Sequence, residues 1–254
     1  MDSEYDSGIN TQQQVPIRLR DKHATTGVVM RLVLVGPPGS GKGTQARRLA
    51  ERLGLTYIGT GDMLREAIAQ NTERGRRVAD LIKQGLLVPD SEVNALIGEL
   101  FQGPQRPRCF VTDGYPRTRA QAEAFDQLLS QLGLPLDAVI HLTVPDDEVV
   151  RRIAGRRCCT NPACGVCFNI YFQPPRREGL CDKCGSPLAQ RDDDREETVR
   201  RRLQEFHKNT QALLDHYRRQ GLVREVSAVD QVETIYTNIL QAIPARDGQS
   251  SCPS

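Results

Sequence analysis

The segment Gly36-Pro37-Pro38-Gly39-Ser40-Gly41-Lys42-Gly43-Thr44 constrains this chain more than any other stretch. It follows the apolar run Leu32-Val33-Leu34-Val35 and leads into Gln45-Ala46-Arg47-Arg48-Leu49-Ala50, where apolar residues recur at helical spacing. A buried strand, a glycine-rich turn and an amphipathic helix, in that order, form the context a phosphate-binding loop requires. Glycines let backbone amides turn inward around an anion. The helix start adds its positive end, and Lys42 adds a mobile charge over the terminal phosphates. A nucleoside triphosphate is the ligand implied, cradled by Gly39, Ser40, Gly41, Lys42, Gly43 and Thr44.

Downstream, short apolar runs alternate with helical patterns. Thr56-Tyr57-Ile58 reads as a strand ending at Gly59, and a helix follows with Thr60 or Asp62 as its N-cap. A second helix over about 74–84 stops at Gly85. Pro89-Asp90 opens a third, with Val93, Leu96, Ile97 and Leu100 inward. Strands are predicted at 109–112, ending at Asp113, and at 138–144; a helix over 120–132 turns Phe125, Leu128 and Leu129 inward. A further helix, a cysteine-rich insert and a long polar helix over about 196–219 come next, then a strand at 222–226 and a helix at 232–243. This alternation predicts an α/β fold, a parallel sheet flanked by helices. Ligands of such sheets gather at the carboxyl ends of the strands, where Gly36, Gly59, Asp113 and Val144 fall.

Charge narrows the function classes. In 254 residues, 34 Lys and Arg nearly balance 32 Asp and Glu, and there is no Trp. That balance disfavours a polybasic nucleic-acid binder, and no apolar run approaches the roughly 20 residues of a membrane span. Residues 1–29 are polar and mixed in charge, unlike a secretory or transit leader. They read as an extension preceding the fold, with Met30 just ahead of the first strand, and residues 245–254 read as a tail. A cytoplasmic location is expected.

Eight cysteines in a reducing compartment point to metal rather than disulfides. Six fall between 158 and 184: Cys158, Cys159, Cys164, Cys167, Cys181 and Cys184. Cys181-x2-Cys184 forms one clean metal knuckle. The partner knuckle is open on spacing alone, since Cys164-x2-Cys167 has the tighter spacing. Cys109 reads as a buried apolar residue of its strand, and Cys252 has no evident role.

Several segments taken together resemble the adenylate kinase family over about residues 30–243. They are Gly-Pro-Pro-Gly-Ser-Gly-Lys-Gly-Thr-Gln at 36–45, Thr-Gly-Asp-Met-Leu-Arg at 60–65 and Asp-Gly-Tyr-Pro-Arg-Thr at 113–118. Gly-Arg-Arg at 155–157, Gln-Arg-Asp-Asp-Asp at 190–194 and Glu-Glu-Thr-Val-Arg-Arg-Arg-Leu at 196–203 complete the set. The resemblance implies a P-loop NTPase-like core (30–59, 89–151 and 194–244), an AMP-binding insert (60–88) and a zinc-binding lid (152–193) over ATP. It implies Mg2+-dependent phosphoryl transfer from ATP to AMP, giving two ADP, by a monomer without nucleic-acid or membrane partners.

Residue roles follow from the same resemblance. Lys42, Arg117, Arg152, Arg156, Arg191 and Arg202 surround the transferring group. Arg152, Arg156, Cys167, Phe168 and Asp230 join the loop in holding ATP. Thr60, Arg65, Leu86, Leu87, Val88, Gly114, Tyr115, Pro116, Arg117, Gln121, Arg191 and Arg202 hold AMP, and Gln121 suits an adenine edge. Among Arg200, Arg201 and Arg202, helical spacing alone does not choose the inward residue; the landmarks select Arg202. Gly43 stands where many phosphate loops place a magnesium-binding Ser or Thr, and the resemblance gives Asp62 and Asp113 the metal's water shell. For structural Zn2+ it selects Cys159, Cys164, Cys181 and Cys184, placing Cys167 near the nucleotide. Such chemistry needs positioning and cancellation of spreading negative charge rather than a nucleophile, which suits an arginine-rich site. CMP or UMP kinases, whose lids are usually short, are the nearest alternative; a zinc-knuckle nucleic-acid adaptor switched by ATP is a remoter one, as is a silent nucleotide sensor.

Overall fold

The computed structural model describes residues 29–244. The readings on the N-terminal extension and the C-terminal tail therefore lie outside the described residues, apart from residue 29. In chain order the first half runs β1 (Arg31–Val35), α1 (Lys42–Leu53), β2 (Thr56–Gly59), α2 (Thr60–Ala69) and α3 (Glu73–Lys83). Next come α4 (Asp90–Gln102), β3 (Phe110–Asp113), α5 (Arg119–Leu132), β4 (Ala138–Thr143) and α6 (Asp146–Ala154). The remainder is β5 (Arg156–Cys159), β6 (Cys167–Asn169), β7 (Leu188–Ala189), α7 (Glu196–Arg219), β8 (Val223–Ser227) and α8 (Val232–Ala242).

Five strands form one sheet in the order β2-β3-β1-β4-β8, every pairing parallel. β1 is apolar at consecutive positions because both of its faces are covered. Val33 and Val35 turn to one side, against Phe110, Phe125, Val139 and Leu213. Leu32 and Leu34 turn to the other, against Ala46, Leu49, Ile140 and Ile239. That two-residue alternation is the period of a strand. The chain leaves β1 toward β2 on one side and supplies β4 on the other, so the end of β1 is the switch point where such folds bind ligands.

β5, β6 and β7 form a separate antiparallel sheet in the order β6-β5-β7, with Cys158 opposite Cys167. Nothing in the sequence predicts strands here. The segments are two to four residues long, too short to show periodicity. α6 and α7 pack together through Val149, Ile153, Val199 and Leu203 at the root of this small sheet. Gly59 is the N-cap of α2, with no side-chain cap. The expectation for Thr60 or Asp62 is thereby corrected: the Thr60 hydroxyl donates to the Gly114 carbonyl at 2.9 Å, and Asp62 is taken by cationic partners.

Candidate active site

Gly41, at φ 86°, lets the chain swing from the turn into α1. Lys42 Nζ donates to the carbonyls of Gly36 (2.6 Å) and Pro37 (2.8 Å) and lies 3.4 Å from Ser40 Oγ. Burial, abetted by Arg117, Arg202 and Arg156, pushes Lys42 down to about 7 against the pull of Asp113. A Cβ at Gly43 would lie 2.9 Å from Asp113 Oδ2, so a side chain there would displace that carboxylate. The loop and the end of β3 thus approach through a glycine.

Two adjoining cavities open at the strand ends. One is walled by Thr60, Arg65, Leu86, Leu87, Val88, Gln121 and Arg202. The other is walled by Gly36, Lys42, Pro116, Phe206 and again Arg202. Gly85, Leu87, Gly114, Arg117 and Arg202 line both, so two arginines stand where the cavities meet. Burial lowers Arg117 from its ordinary value, and burial pushes Arg202 down to about 10, which leaves Arg202 charged at neutral pH. Arg117 Nε donates to the Gly114 carbonyl at 2.8 Å, and Arg202 donates to Asp193 Oδ2 at 2.8 Å. Of the three consecutive arginines, Arg200 pairs with Glu196, Arg201 with Glu197, and Arg202 is the one turned inward.

The other arginines are held by carboxylates. Arg156 grips Asp194 with both Nε and Nη2. Arg65 donates to Asp62 at 2.6 Å, Arg47 donates to the same group, and Arg191 stands 3.8 Å away. Burial opposes ionisation of Asp62, yet Arg65 and Arg47 hold its carboxyl below the usual range. Burial also pushes Arg191 down to about 10. Asp193 and Asp194, both buried, were visible in the sequence only as landmarks. Three acidic residues beside an arginine were the available signal for them.

Gln121 is buried at 2 % exposure, its Nε2 donating to Asp90 at 2.7 Å and its Oε1 accepting from Arg117 N at 2.7 Å. One amide hydrogen and one lone pair remain for a base edge. Tyr115 differs from expectation: its ring is 1 % exposed, packed edge-on to Phe125, with its hydroxyl on Asn94. Its bulk is better accommodated in the core, and it lines neither cavity. Arg152 pairs with Glu148 and donates to the Ala228 carbonyl at 2.7 Å. Asp230 is exposed and accepts from Gln231 N at 2.7 Å, and it lines neither cavity. Phe168 is half-buried in β6, opposite Arg157.

In the small sheet, Cys159, Cys164, Cys181 and Cys184 converge, all four sulfurs lying within 4.8 Å of one another. The pairs Cys159–Cys184 and Cys164–Cys181 are 3.4 and 3.7 Å apart. A ZnS4 tetrahedron with bonds of about 2.3 Å has edges of about 3.8 Å, so this donor set fits structural zinc. Cys167 is not in the cluster: it forms a disulfide with Cys158, and its sulfur lies 3.3 Å from Arg191 Nη2. Cys109 is disulfide-bonded as well. The expectation that the cysteines serve metal alone is corrected, because cross-strand pairing sets Cys158 directly opposite Cys167.

A family model described as adenylate kinase matches residues 34–222. The chain belongs to the adenylate kinase family. An adenylate kinase of Streptomyces avermitilis is 49 % identical over 218 residues, covering 86 % of this chain and 99 % of that relative. One from Archaeoglobus fulgidus is 46 % identical over 210 residues, covering 83 % and 96 %. One from Streptomyces coelicolor is 48 % identical over 214 residues, covering 84 % and 98 %. The protein is thus an enzyme of the nucleoside monophosphate kinase class. No helix among the described residues is long and apolar enough to cross a membrane.

Proposed function

We propose that this chain catalyses reversible phosphoryl transfer from MgATP to AMP, giving two ADP, and that the cavity beside Gln121 is its acceptor site while the cavity beside Lys42 borders the phosphates of the donor. The observation that carries this reading is the shared wall: Arg117 and Arg202 border both cavities, with Lys42 in one and Gln121 in the other. Two nucleotides entering from opposite sides bring their phosphates together between these cations. In-line placement and fixed positive charge are then the main catalytic contributions.

ATP lies with its phosphates on the amides of Gly39 to Thr44 and on Lys42. AMP lies against Thr60, the backbone of Leu86 to Val88, Gly114 and Pro116, with its base on Gln121 and its phosphate on Arg65 and Arg117. Arg156, Arg191 and Arg202 exchange their carboxylate partners for the transferring oxygens, a match the planar guanidinium makes in pairs. A bound Mg2+ would supply further positive charge against the phosphates. Asp113, which faces the start of α1 beside Gly43, is suited to hold its water shell. Residues 60–88 act as the acceptor insert and 152–193 as a lid that Zn2+ knits through its four thiolates. Lid closure excludes water and so suppresses ATP hydrolysis. We place the enzyme in the cytoplasm as a monomer, a location in keeping with the four free thiols gathered in its metal cluster.

The test is ADP formation from MgATP offered AMP, CMP, UMP or GMP. AMP should be strongly preferred. Equal rates with CMP or UMP would make it a kinase for those acceptors, and ATP loss without any acceptor would overturn phosphoryl transfer to a nucleotide.

A further inference from the structure

Tyr57 lies near the end of β2, two residues before Gly59, and both are on one face of the strand. A Cβ at Gly59 would collide with the phenol oxygen. Glycine at 59 therefore lets the ring lie along the strand toward its carboxyl end. Arg47 covers the ring, its guanidinium carbon 4.3 Å from the centroid, and also donates to Asp62. The single phenol proton so placed is shared between two carboxylates from different elements, Asp62 Oδ2 at 2.9 Å and the more distant Asp113 Oδ2 at 3.3 Å.

The two acids are unequally restrained. Asp62 is fixed by Arg47 and Arg65. For Asp113, the Tyr57 phenol is the one side-chain hydrogen-bond donor found among the described residues. We propose that Tyr57 is a positioning residue that ties the Asp113 carboxylate to the arginine-pinned Asp62, and so sets the orientation in which Asp113 receives the hydrated metal of the bound nucleotide. Burial and both carboxylates push the phenol's pKa up, so it remains a neutral donor at working pH. Outer groups of this kind orient a metal's oxygen partners without touching the ion.

The inference rests on the proposed metal role of Asp113, and its test separates the two. The readout is calorimetric ATP affinity measured with and without Mg2+; the ratio of the two constants is internal to each variant and independent of its stability. Y57F should lower the Mg2+-dependent gain in affinity by about tenfold, the lower end for loss of an outer-shell partner. Metal-free ATP and AMP affinities should stay unchanged. D113N should lower the gain at least as much, and Y57F should add nothing in a D113N background. An unchanged ratio in Y57F with a lowered one in D113N overturns the role of Tyr57 alone. So does a Y57F effect that persists in D113N. An unchanged ratio in D113N overturns the metal role of Asp113 itself, and the inference with it.

Discussion

The two sheets of this molecule are held by different chemistry. In the five-stranded sheet, side chains such as Leu32, Val33, Phe110 and Ile140 are at or near zero exposure, and burying each contributes about 1.5–3 kcal/mol. Between Arg156 and Gln190 only Cys158 and Cys181 are buried. The small sheet has no apolar core of its own, and sulfur supplies what carbon does in the large one. A floor built on apolar burial thus carries the phosphate loop, while a sheet that owes little to burial carries Arg156, with Arg191 just beyond its last strand.

Metal removal tests that contrast most severely. A structural zinc site is worth on the order of 10 kcal/mol to the segment that binds it. Cys181→Ser, or exhaustive chelation, should bring amides of residues 156–190 to rapid hydrogen exchange while β1, β3 and β4 stay protected. Loss of protection throughout would show that the two sheets are not independent in stability. The cleft should respond in the opposite manner. Arg117→Ala should lower the rate of ADP formation by roughly 100- to 1000-fold, as for other preorganised charges, with the melting temperature nearly unmoved. A large drop in melting temperature would mean that Arg117 belongs to the framework.

The Cys158–Cys167 bond closes a loop with a sequence separation of 9. In the chain-entropy account such a loop is worth about 2–3 kcal/mol, so Cys158→Ser should loosen the small sheet and leave zinc content at one per chain. Zinc loss in that variant would place Cys158 in the metal site's support.

The smallest expected effect is a pH dependence. Lys42 is held near 7, below its ordinary 10.5, and bound phosphates draw it back up. Nucleotide binding therefore takes up a proton above pH 7. Affinity for a non-hydrolysable ATP analogue should be flat below pH 7 and fall by up to about tenfold per pH unit above it. Lys42→Met should abolish that slope; a slope that survives belongs to another group.

The large sheet was legible in the sequence because its signals are local. Leu32 to Val35, Phe110 to Asp113 and Ala138 to Thr143 are apolar runs bounded by turns, and Gly85 stops α3 as its position suggests. Val93, Leu96, Ile97 and Leu100 all face the core. The phosphate loop was legible through its own spacing, whereas Arg65, Arg117 and Arg202 stood out only through the resemblance to the adenylate kinase family, since helical spacing does not choose among Arg200, Arg201 and Arg202. What stayed hidden depends on contacts between distant segments. The bond between Cys158 and Cys167 needs the pairing of β5 with β6, and the ring of Tyr115 turns inward because Phe125 and Asn94 await it. No local pattern distinguishes Tyr57 from any strand tyrosine, since its importance lies in Gly59, Asp62 and Asp113 around it.

The central claim is that two nucleotides meet between Arg117 and Arg202. A structure with a bisubstrate analogue, two adenosines joined by five phosphates, tests it most directly. The account predicts one adenosine beside Gln121, the polyphosphate running over the amides of Gly39 to Thr44, and both arginines on the phosphates, released from Gly114 and Asp193. An analogue bound with Arg117 and Arg202 still on those protein partners would contradict it.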